Sequence, residues 1–594
     1  MERLKTVSLC MIVKNEEKYL QKCLQSVAGL VDEMIVVDTG SRDNTVAIAK
    51  QMNAKVLEYQ WDNNFSSARN YSISNASSDW ILLMDGDDEF NPVFYDEFIN
   101  LVNTSEKDGH YMKTMSYTGN MPGKDIVTNL NLRLLRNNKR YKFIGAIHEQ
   151  ISCIDGPTDY TNLPSTEIEI FHYGYLTNVA VEKDKRTRNM SIIEEELKND
   201  TKNNFHKFNL GNEYFALGDI EKAYELFDEV YNAVNHKAGY ASKLIIRRIM
   251  CLMELMRYDN AEKAIDEGLN YYPEFTDLEF LRGCSFLRRR RYFLAVESFQ
   301  TCLKKGKPPT QLEFIEGCGD YRAYEALGDI YLKFQSYEKA IGYYENAIKC
   351  NAKLQIVVYK IATACNKLYT DKNYVAFMLK QYFNLDYTPN LLLIANVLLK
   401  EGICDLALGY IEKAYEISPN DPNVIFLMGK ALFYLNRYED SQKYFDIVGD
   451  TLHDETFKYK FLYSLLNSNS DMDTVLESVV LDNNELSKRV YAQLYSVYSG
   501  SDDIILLDED NHEMALELAI AVLEDVLLSR EFELFEKLLN VLNYFNSKNV
   551  LLSLAKLYNK HGYGQLAVTE ILRSIKQFDA IDSESVEILF REMR

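Results

Sequence analysis

Proline and glycine are scarce in this chain, 10 and 26 among 594 residues. So few turn formers leave little for long loops or a turn-rich β fold, which points to helices for most of the length. Positive charge is short as well: 66 Lys and Arg stand against 88 Asp and Glu, a formal net charge of −22. That balance argues against general nucleic-acid binding, which runs on Lys and Arg neutralising phosphates. No apolar run approaches the roughly 18 residues of a membrane span. The first apolar run, Val7–Val13, is too short for a signal-peptide core and leads straight into Lys14-Asn15-Glu16-Glu17, so it reads as a buried strand. The ten cysteines lie singly between Cys10 and Cys404 with no CxxC pair. Such usage suits reduced thiols, not a disulfide framework or a zinc site. What remains is ordinary globular composition, 47% hydrophobic and 26% charged, and at about 100–200 residues per domain the length implies three or more units. A soluble, cytoplasmic protein is expected.

Residues 1 to about 180 alternate β-rich runs with helical stretches. Val7–Val13, Met34–Val37, Val56–Tyr59 and Trp80–Met84 read as strands. Glu17–Ala28 has helical spacing, and a second helix starts after Ser41 with Asp43 or Asn44 as its cap. Strands alternating with helices imply a largely parallel sheet, whose ligands gather beyond the strand carboxyl ends. Asp38 and Asp85 both stand at such ends.

From about residue 200 a different period takes over. A small residue recurs twelve positions before another: Gly211 and Ala223, Gly283 and Ala295, Gly328 and Ala340, Ala395 and Ala407, Gly429 and Ser441, Ala555 and Ala567. Ala261 and Ala295 are 34 apart, as are Ala407 and Ser441, which is the tetratricopeptide period. Small residues are needed where the two helices of a repeat pack closely. The spacing slips around Gly306–Asp320, which reads as an insertion, and blurs after about residue 450. An all-α solenoid is expected, with a concave face suited to an extended peptide. A structural or dimerising role is the alternative, and a generic helical bundle the blander one.

Met84-Asp85-Gly86-Asp87-Asp88 puts three carboxylates just past a buried strand. Carboxylates so close repel one another, and a cation is their natural partner. Hard oxygen ligands at this density suit Mg²⁺ or Mn²⁺ completed by substrate phosphates; a solvated acidic turn would look the same. Arg133, Arg136, Lys139, Arg140 and Lys142 form one basic cluster, and Lys183, Lys185, Arg186 and Arg188 another. A diphosphate needs such local positive charge in an acidic chain; a solvated helix face would also explain the second.

On these motifs the first ~180 residues resemble a family 2 glycosyltransferase of the GT-A fold, an α/β Rossmann-like domain. The matching stretches are Cys10–Glu16, Val37–Thr45 and Asp85-Gly86-Asp87. Three more, Trp61–Asn70, Gly145-Ala146-Ile147-His148-Glu149 and Phe171-His172-Tyr173-Gly174-Tyr175, resemble a branch in which that domain is fused to tetratricopeptide-like helices. The branch includes flagellin-modifying enzymes, bacteriocin-peptide transferases of the sublancin type and lipopolysaccharide-core transferases. The organisation implied is a catalytic domain over 1–200, repeats over 201–449 and a degenerate helical region over 450–594.

The resemblance implies a role for each matched position. Val13, Asn15 and Glu16 would frame the nucleotide pocket, and Asp38 would accept a hydrogen bond from the uracil of a UDP-sugar; Thr39 stands where the family often has a second Asp. Asp85 would contact the ribose or metal-bound water, Asp87 and His172 would ligate Mn²⁺ or Mg²⁺, and Arg69 would lie near the sugar-nucleotide. For Trp61 and Asp62 scaffolding is the equal alternative, and for His172 a core or surface histidine. Inversion needs a group to take the acceptor proton: Glu149 is the first candidate, with Asp88 and His148 behind it, unless Glu149 only orients an arginine. The expected activity is transfer of N-acetylglucosamine or glucose to a protein acceptor held by the repeats, flagellin first, a bacteriocin peptide second, a lipopolysaccharide or cell-wall glycan third. The competing class is a peptide-binding scaffold with an inactive transferase domain. No nucleic acid is expected, a homodimer is left open, and residues 1–200 are expected to suffice for UDP-sugar binding.

Overall fold

The computed structural model describes residues 4–118, 125–156, 158, 160–173, 179–236, 238–351, 354–448, 453–467, 485–501 and 511–593. They form two compact units, residues 1–357 and 358–594.

The first unit opens with β1 (Val7–Val13), α1 (Leu20–Val27), β2 (Glu33–Asp38), α2 (Thr45–Gln51), β3 (Lys55–Glu58), α3 (Phe65–Ser74) and β4 (Trp80–Leu83). Then come β5 (Asp88–Phe90), α4 (Tyr95–Thr104), the long hairpin β6 (Gly109–Thr118) and β7 (Asp125–Arg136), the small ribbon β8 (Tyr141–Ile144) and β9 (Gln150–Cys153), and β10 (Ser165–His172). Eight strands make one sheet in the order β3-β2-β1-β4-β7-β6-β10-β5. The half β3-β2-β1-β4 is parallel, as expected for strands linked by helices, and β10 runs parallel to β6. The hairpin and β5 add antiparallel pairings.

β1 is apolar along its whole length because both its faces are covered. Val7, Leu9, Met11 and Val13 pack into one core with Leu20, Leu24 and Phe98 of α1 and α4. Cys10 faces the other way, with Ile35, Val37, Ile81 and Leu83. This two-residue alternation fixes which way every residue at the strand ends points. The expected start of α1 at Glu17 is three residues early: the Glu16 amide donates to Thr45 Oγ1 and the Glu17 amide to Asp43 Oδ2, so this stretch serves the β2–α2 loop instead. Asn44 takes the cap position of α2 without a side-chain bond to the helix, its Nδ2 donating to Glu17 instead, and Asp43 Oδ1 accepts from the Thr45 amide.

Helices follow: α5 (Val179–Asn199), α6 (Asn204–Ala216), α7 (Ile220–Ala233), α8 (Ala241–Glu254), α9 (Tyr258–Tyr271), α10 (Thr276–Arg288), α11 (Tyr292–Lys305), α12 (Tyr321–Lys333) and α13 (Tyr337–Cys350). The recurrent glycines have a physical reason. A Cβ on Gly211, Gly283 or Gly328 would stand 2.7, 2.6 or 2.4 Å from the ring of Phe227, Phe299 or Tyr344. Each ring sits sixteen residues after its glycine, in the partner helix, and only hydrogen leaves it room. In the second unit Gly429 meets Phe445 the same way, at 2.7 Å, within the pair Pro422–Tyr434 and Tyr438–Val448. The insertion expected at Gly306–Asp320 is the segment between α11 and α12. Among the described residues no helix is long and apolar enough to cross a membrane.

Candidate active site

The strand order β2-β1-β4 brings the carboxyl ends of three parallel strands side by side, with Val13 in register with Asp38. Asn15 adopts a left-handed φ of 58°, its amide donates to Ser41 Oγ, and its Oδ1 accepts from the Arg42 amide. Asp38 is buried and accepts from the Gly40 and Ser41 amides at 3.1–3.2 Å. Val13, Asn15, Glu16 and Asp38 therefore sit together, tied into one rim. Gly86 closes against that rim: a Cβ there would fall 2.9 Å from Glu16 Cγ and 3.2 Å from Val13 Cγ1.

Beyond β4 the chain turns through Asp85-Gly86-Asp87 into β5. Asp85 is gripped from two sides, Oδ1 by Arg69 Nη2 at 2.8 Å and Oδ2 by Arg133 Nη1 at 3.2 Å. Burial alone would raise its pKa, but the two guanidiniums hold its carboxyl well below the usual range. Asp88 has a fully buried side chain. Its Oδ2 accepts from the Asp85 amide at 2.8 Å and pairs with Arg133 Nη2 at 3.1 Å. Its Oδ1 lies 2.9 Å from His172 Nδ1. β10 pairs antiparallel with β5 so that His172 faces Asp88, and Asp87 Oδ1 is 3.4 Å from the same ring nitrogen. Burial would depress the His172 imidazole, but Asp87, Asp88 and Asp85 outweigh it and lift its pKa to about 9.

Arg69 projects from α3, whose first turn is capped by Asn64 accepting from the Ser67 amide. Its Nε binds Glu149 Oε1 at 2.8 Å, so Asp85, Arg69 and Glu149 form one chain of charges. Orientation of an arginine, the alternative set beside the base role of Glu149, is thus the contact present. Trp61 donates to Asn63 Oδ1, and Asp62 accepts from Tyr59 and from the Asn64 amide, which is scaffolding of the loop before α3.

Two expectations need correction. Asp88 cannot face an acceptor hydroxyl, because it is enclosed and both its oxygens are engaged. His148 keeps its Nε2 buried, where no acceptor hydroxyl reaches it. Its backbone has φ of 51°, that nitrogen has no partner, burial holds the imidazole below its usual pKa, and Glu213, Glu149 and His206 are the charged groups that act on it. The loop before it is held by the Phe65 amide on the Ala146 carbonyl and by Ser66 Oγ on the Gly145 carbonyl, and Ile147 packs with Ile193 and Leu210 of α5 and α6.

The first basic cluster does not assemble for a diphosphate. Arg133 turns into the sheet to serve the acidic turn, Arg136 lies over Trp80 and donates to the Ser105 carbonyl, and Arg140 pairs with Asp108. From the second cluster Arg186 binds Glu213 and Arg188 lies over Phe65. The side chains of Lys183 and Lys185, and the motif residues Gly174 and Tyr175, lie outside the described residues. Arg133 is the functional neighbour that residue type alone misassigned. Its signal was positional: an arginine inside the apolar alternation of Leu130, Leu132 and Leu134 needs buried carboxylates to receive it.

The donor set suits a divalent cation. Asp85, Asp88 and His172 offer ligand atoms within 4.8 Å of one another, and Asp87 lies beside them. Asp88 is already committed as the carboxylate that orients the imidazole, and Asp87 Oδ1 lies 3.4 Å from the same ring nitrogen. Four carboxylates, Glu149 included, gather around the guanidiniums of Arg69 and Arg133 and the His172 imidazole. A divalent cation would balance that negative excess.

Comparison with known proteins agrees with this geometry. Residues 8–157 match Glycosyl transferase family 2, and residues 280–353 match a tetratricopeptide repeat. The first unit carries a family 2 glycosyltransferase domain fused to tetratricopeptide repeats. The chain is 27% identical over 299 residues to the SPbeta prophage-derived glycosyltransferase SunS of Bacillus subtilis, covering 48% of this chain and 67% of that protein. It is 55% identical over 83 residues to a TPR repeat-containing protein of Synechococcus elongatus, covering 14% of this chain and only 21% of the relative. Among solved structures, glucosyl-3-phosphoglycerate synthase from Mycobacterium tuberculosis with Mg²⁺ and uridine diphosphate matches at 25% identity and a TM-score of 0.17, over 19% of this chain and 44% of that one. At that score nothing is carried over from it.

Proposed function

We propose that the transferase domain moves a sugar from a UDP-sugar to a protein acceptor, with inversion and with Mn²⁺ or Mg²⁺ bound at Asp87 and His172. The observation that carries this reading is the meeting of Asp87, Asp88 and His172 beside the Val13–Asp38 rim, at the carboxyl edge of the parallel strands. Asp38 retains a lone pair on Oδ1 beyond the three contacts its own loop makes, so its carboxylate is able to accept from a uracil imide. A bound divalent ion would neutralise charge on the leaving diphosphate, worth several kcal/mol. Asp88 holds the His172 ring in place, and Arg133 and Arg69 keep Asp85 ionised and fixed. Glu149, the candidate base whose side chain is still 14% exposed, accepts the proton of the attacking hydroxyl.

The two domains on one chain support a protein acceptor, because tetratricopeptide repeats present surfaces to polypeptides. O-linked modification of Ser or Thr on flagellin is our first assignment and a bacteriocin peptide the second, with N-acetylglucosamine or glucose as the sugar. Ten free cysteines, most of them buried, support a reducing cytoplasm. Calorimetry with UDP, with and without Mn²⁺, tests the reading. Metal-dependent affinity that Asp87→Ala abolishes is the expected result; affinity indifferent to both would overturn the metal assignment. Glu149→Gln should keep UDP binding and lose transfer.

A further inference from the structure

The insertion between α11 and α12 is a closed loop. Gly306 and Gly319 pinch its neck so tightly that a Cβ on Gly319 would lie 2.1 Å from the Gly306 carbonyl oxygen, and that oxygen accepts from Thr276 Oγ1 at 2.7 Å. From this neck the segment 309–316 runs out between the β6–β7 hairpin and the helices α8 and α10. Ile315 forms an antiparallel bridge with Val127, and the Thr128 amide donates to the Phe314 carbonyl at 3.3 Å. On the opposite side Asp277 of α10 accepts from the Phe314 and Ile315 amides at 3.2 and 2.5 Å. The Phe314 ring is buried among Ile246, Ile249 and Leu278 and lies under the Arg247 guanidinium. Glu313, also buried, pairs with Lys113 Nζ at 3.2 Å, and Lys113 is itself enclosed within β6.

Those contacts are the chemistry of peptide recognition. Main-chain bonds to a strand give affinity, an aromatic anchor fills a pocket, and a buried acid meets a fixed base. We propose that residues 309–316 are a tethered peptide ligand of the surface formed by β7, α8 and α10, permanently bound, so that this surface is closed to any other polypeptide. The inference is independent of the transferase reading, since it concerns a groove whose occupant is part of the chain. Its closed neck and buried anchors distinguish it from a lid: opening would expose Lys113, Glu313 and Phe314 together. An acceptor read by the repeats must therefore use a different face.

Two experiments on the full-length chain test this. In the first, Val127→Cys with Ile315→Cys is oxidised across the bridge. The expected result is a disulfide, mapped by mass spectrometry, in nearly all of the chain, with a melting temperature no lower than that of the reduced form. Failure of the pair to form, or a melting temperature lowered on oxidation and restored by reductant, would overturn permanent closure. In the second, residues 308–318 are replaced by a Gly/Ser linker and a fluorescent synthetic peptide of residues 308–317 is added. The replaced chain should bind the peptide and the intact chain should not, and Glu313→Gln in the peptide should weaken binding by about tenfold. Equal binding by both chains would show the surface open and defeat the proposal. If the replaced chain does not fold, the cross-linked pair decides alone.

Discussion

Asp88 Oδ1 stands 2.9 Å from His172 Nδ1, across an antiparallel pair of strands whose register sets the two residues opposite each other. The carboxylate has no exposure of its own. Its place is to hold an imidazole, the one to which the proposed function gives the metal.

Asp88→Asn should therefore act through His172. An amide cannot serve the imidazole nitrogen and Arg133 as the carboxylate does, so Mn²⁺-dependent UDP affinity is expected to fall about 10–100-fold. Calorimetry with and without the metal measures it. Metal-independent UDP affinity should change little, and equal losses in both would mean the variant had damaged the pocket as a whole.

Arg133 makes the companion case. It is almost wholly buried and pairs with Asp85 and Asp88, so Arg133→Met leaves the enclosed Asp88 without its cation and Asp85 with Arg69 alone. Breaking a buried pair from one side typically costs about 3–5 kcal/mol. Urea denaturation should show a loss of that size, and one below about 1 kcal/mol would mean the carboxylates find other partners.

Gly328→Ala tests the packing of the repeats. The new methyl would be driven into the Tyr344 ring, whose hydroxyl is anchored to Asp329 at 2.7 Å, so the ring cannot simply swing aside. Overpacking of this kind costs about 1–3 kcal/mol. Gly342→Ala, where a Cβ meets nothing within 4 Å, should be neutral or slightly stabilising because Ala is the better helix former. Thermal melts of the two variants side by side provide the comparison.

His110 is buried in β6, with Nε2 against Ser105 Oγ at 2.7 Å. Burial, reinforced by the charges of Arg136 and Lys107, pushes its pKa down to about 4 from 6.5. The unfolded chain takes up this proton below about pH 6.5 and the folded chain only near pH 4. Its contribution to stability is thus full above pH 6.5 and is lost as the pH falls to 4. Urea denaturation at pH 7 and pH 5 should show a smaller loss in His110→Gln than in the parent, by about 1–2 kcal/mol. Equal losses would place the acid sensitivity elsewhere.

Cutting the chain tests how far the catalytic unit extends. Residues 1–200 were expected to suffice for UDP-sugar binding, yet Val127 on the sheet meets Ile315, and Lys113 pairs with Glu313 as well as with Glu167. A fragment 1–200 would expose that face and leave Lys113 with one of its two carboxylates. It is expected to aggregate or to melt well below a fragment of 1–357, the compact unit, and the longer piece should keep its affinity for UDP. A soluble 1–200 with undiminished UDP affinity would show that the sheet needs nothing from the repeats.

Much of this arrangement is local, and local features are legible in a linear chain. The apolar runs of β1, β2 and β4 lie within single stretches, and the acidic turn follows one of them directly. The repeat period shows because each small residue and its alanine recur at fixed offsets; the aromatic ring sixteen residues after each glycine was equally open to inspection. Sequence also placed Asp38 and Asp85 at strand ends, because strand polarity is a property of the chain itself, while Val13, Asn15, Asp87 and His172 were singled out by the family resemblance. Only the tertiary structure decided who meets whom across the chain. It turned Arg133 inward to the carboxylates, enclosed Asp88, buried the His148 Nε2, and sent residue 313 to residue 113. Those outcomes depend on strand order and helix docking, where buried charges must find opposite charges at any separation along the chain, and no periodicity in the sequence records that demand.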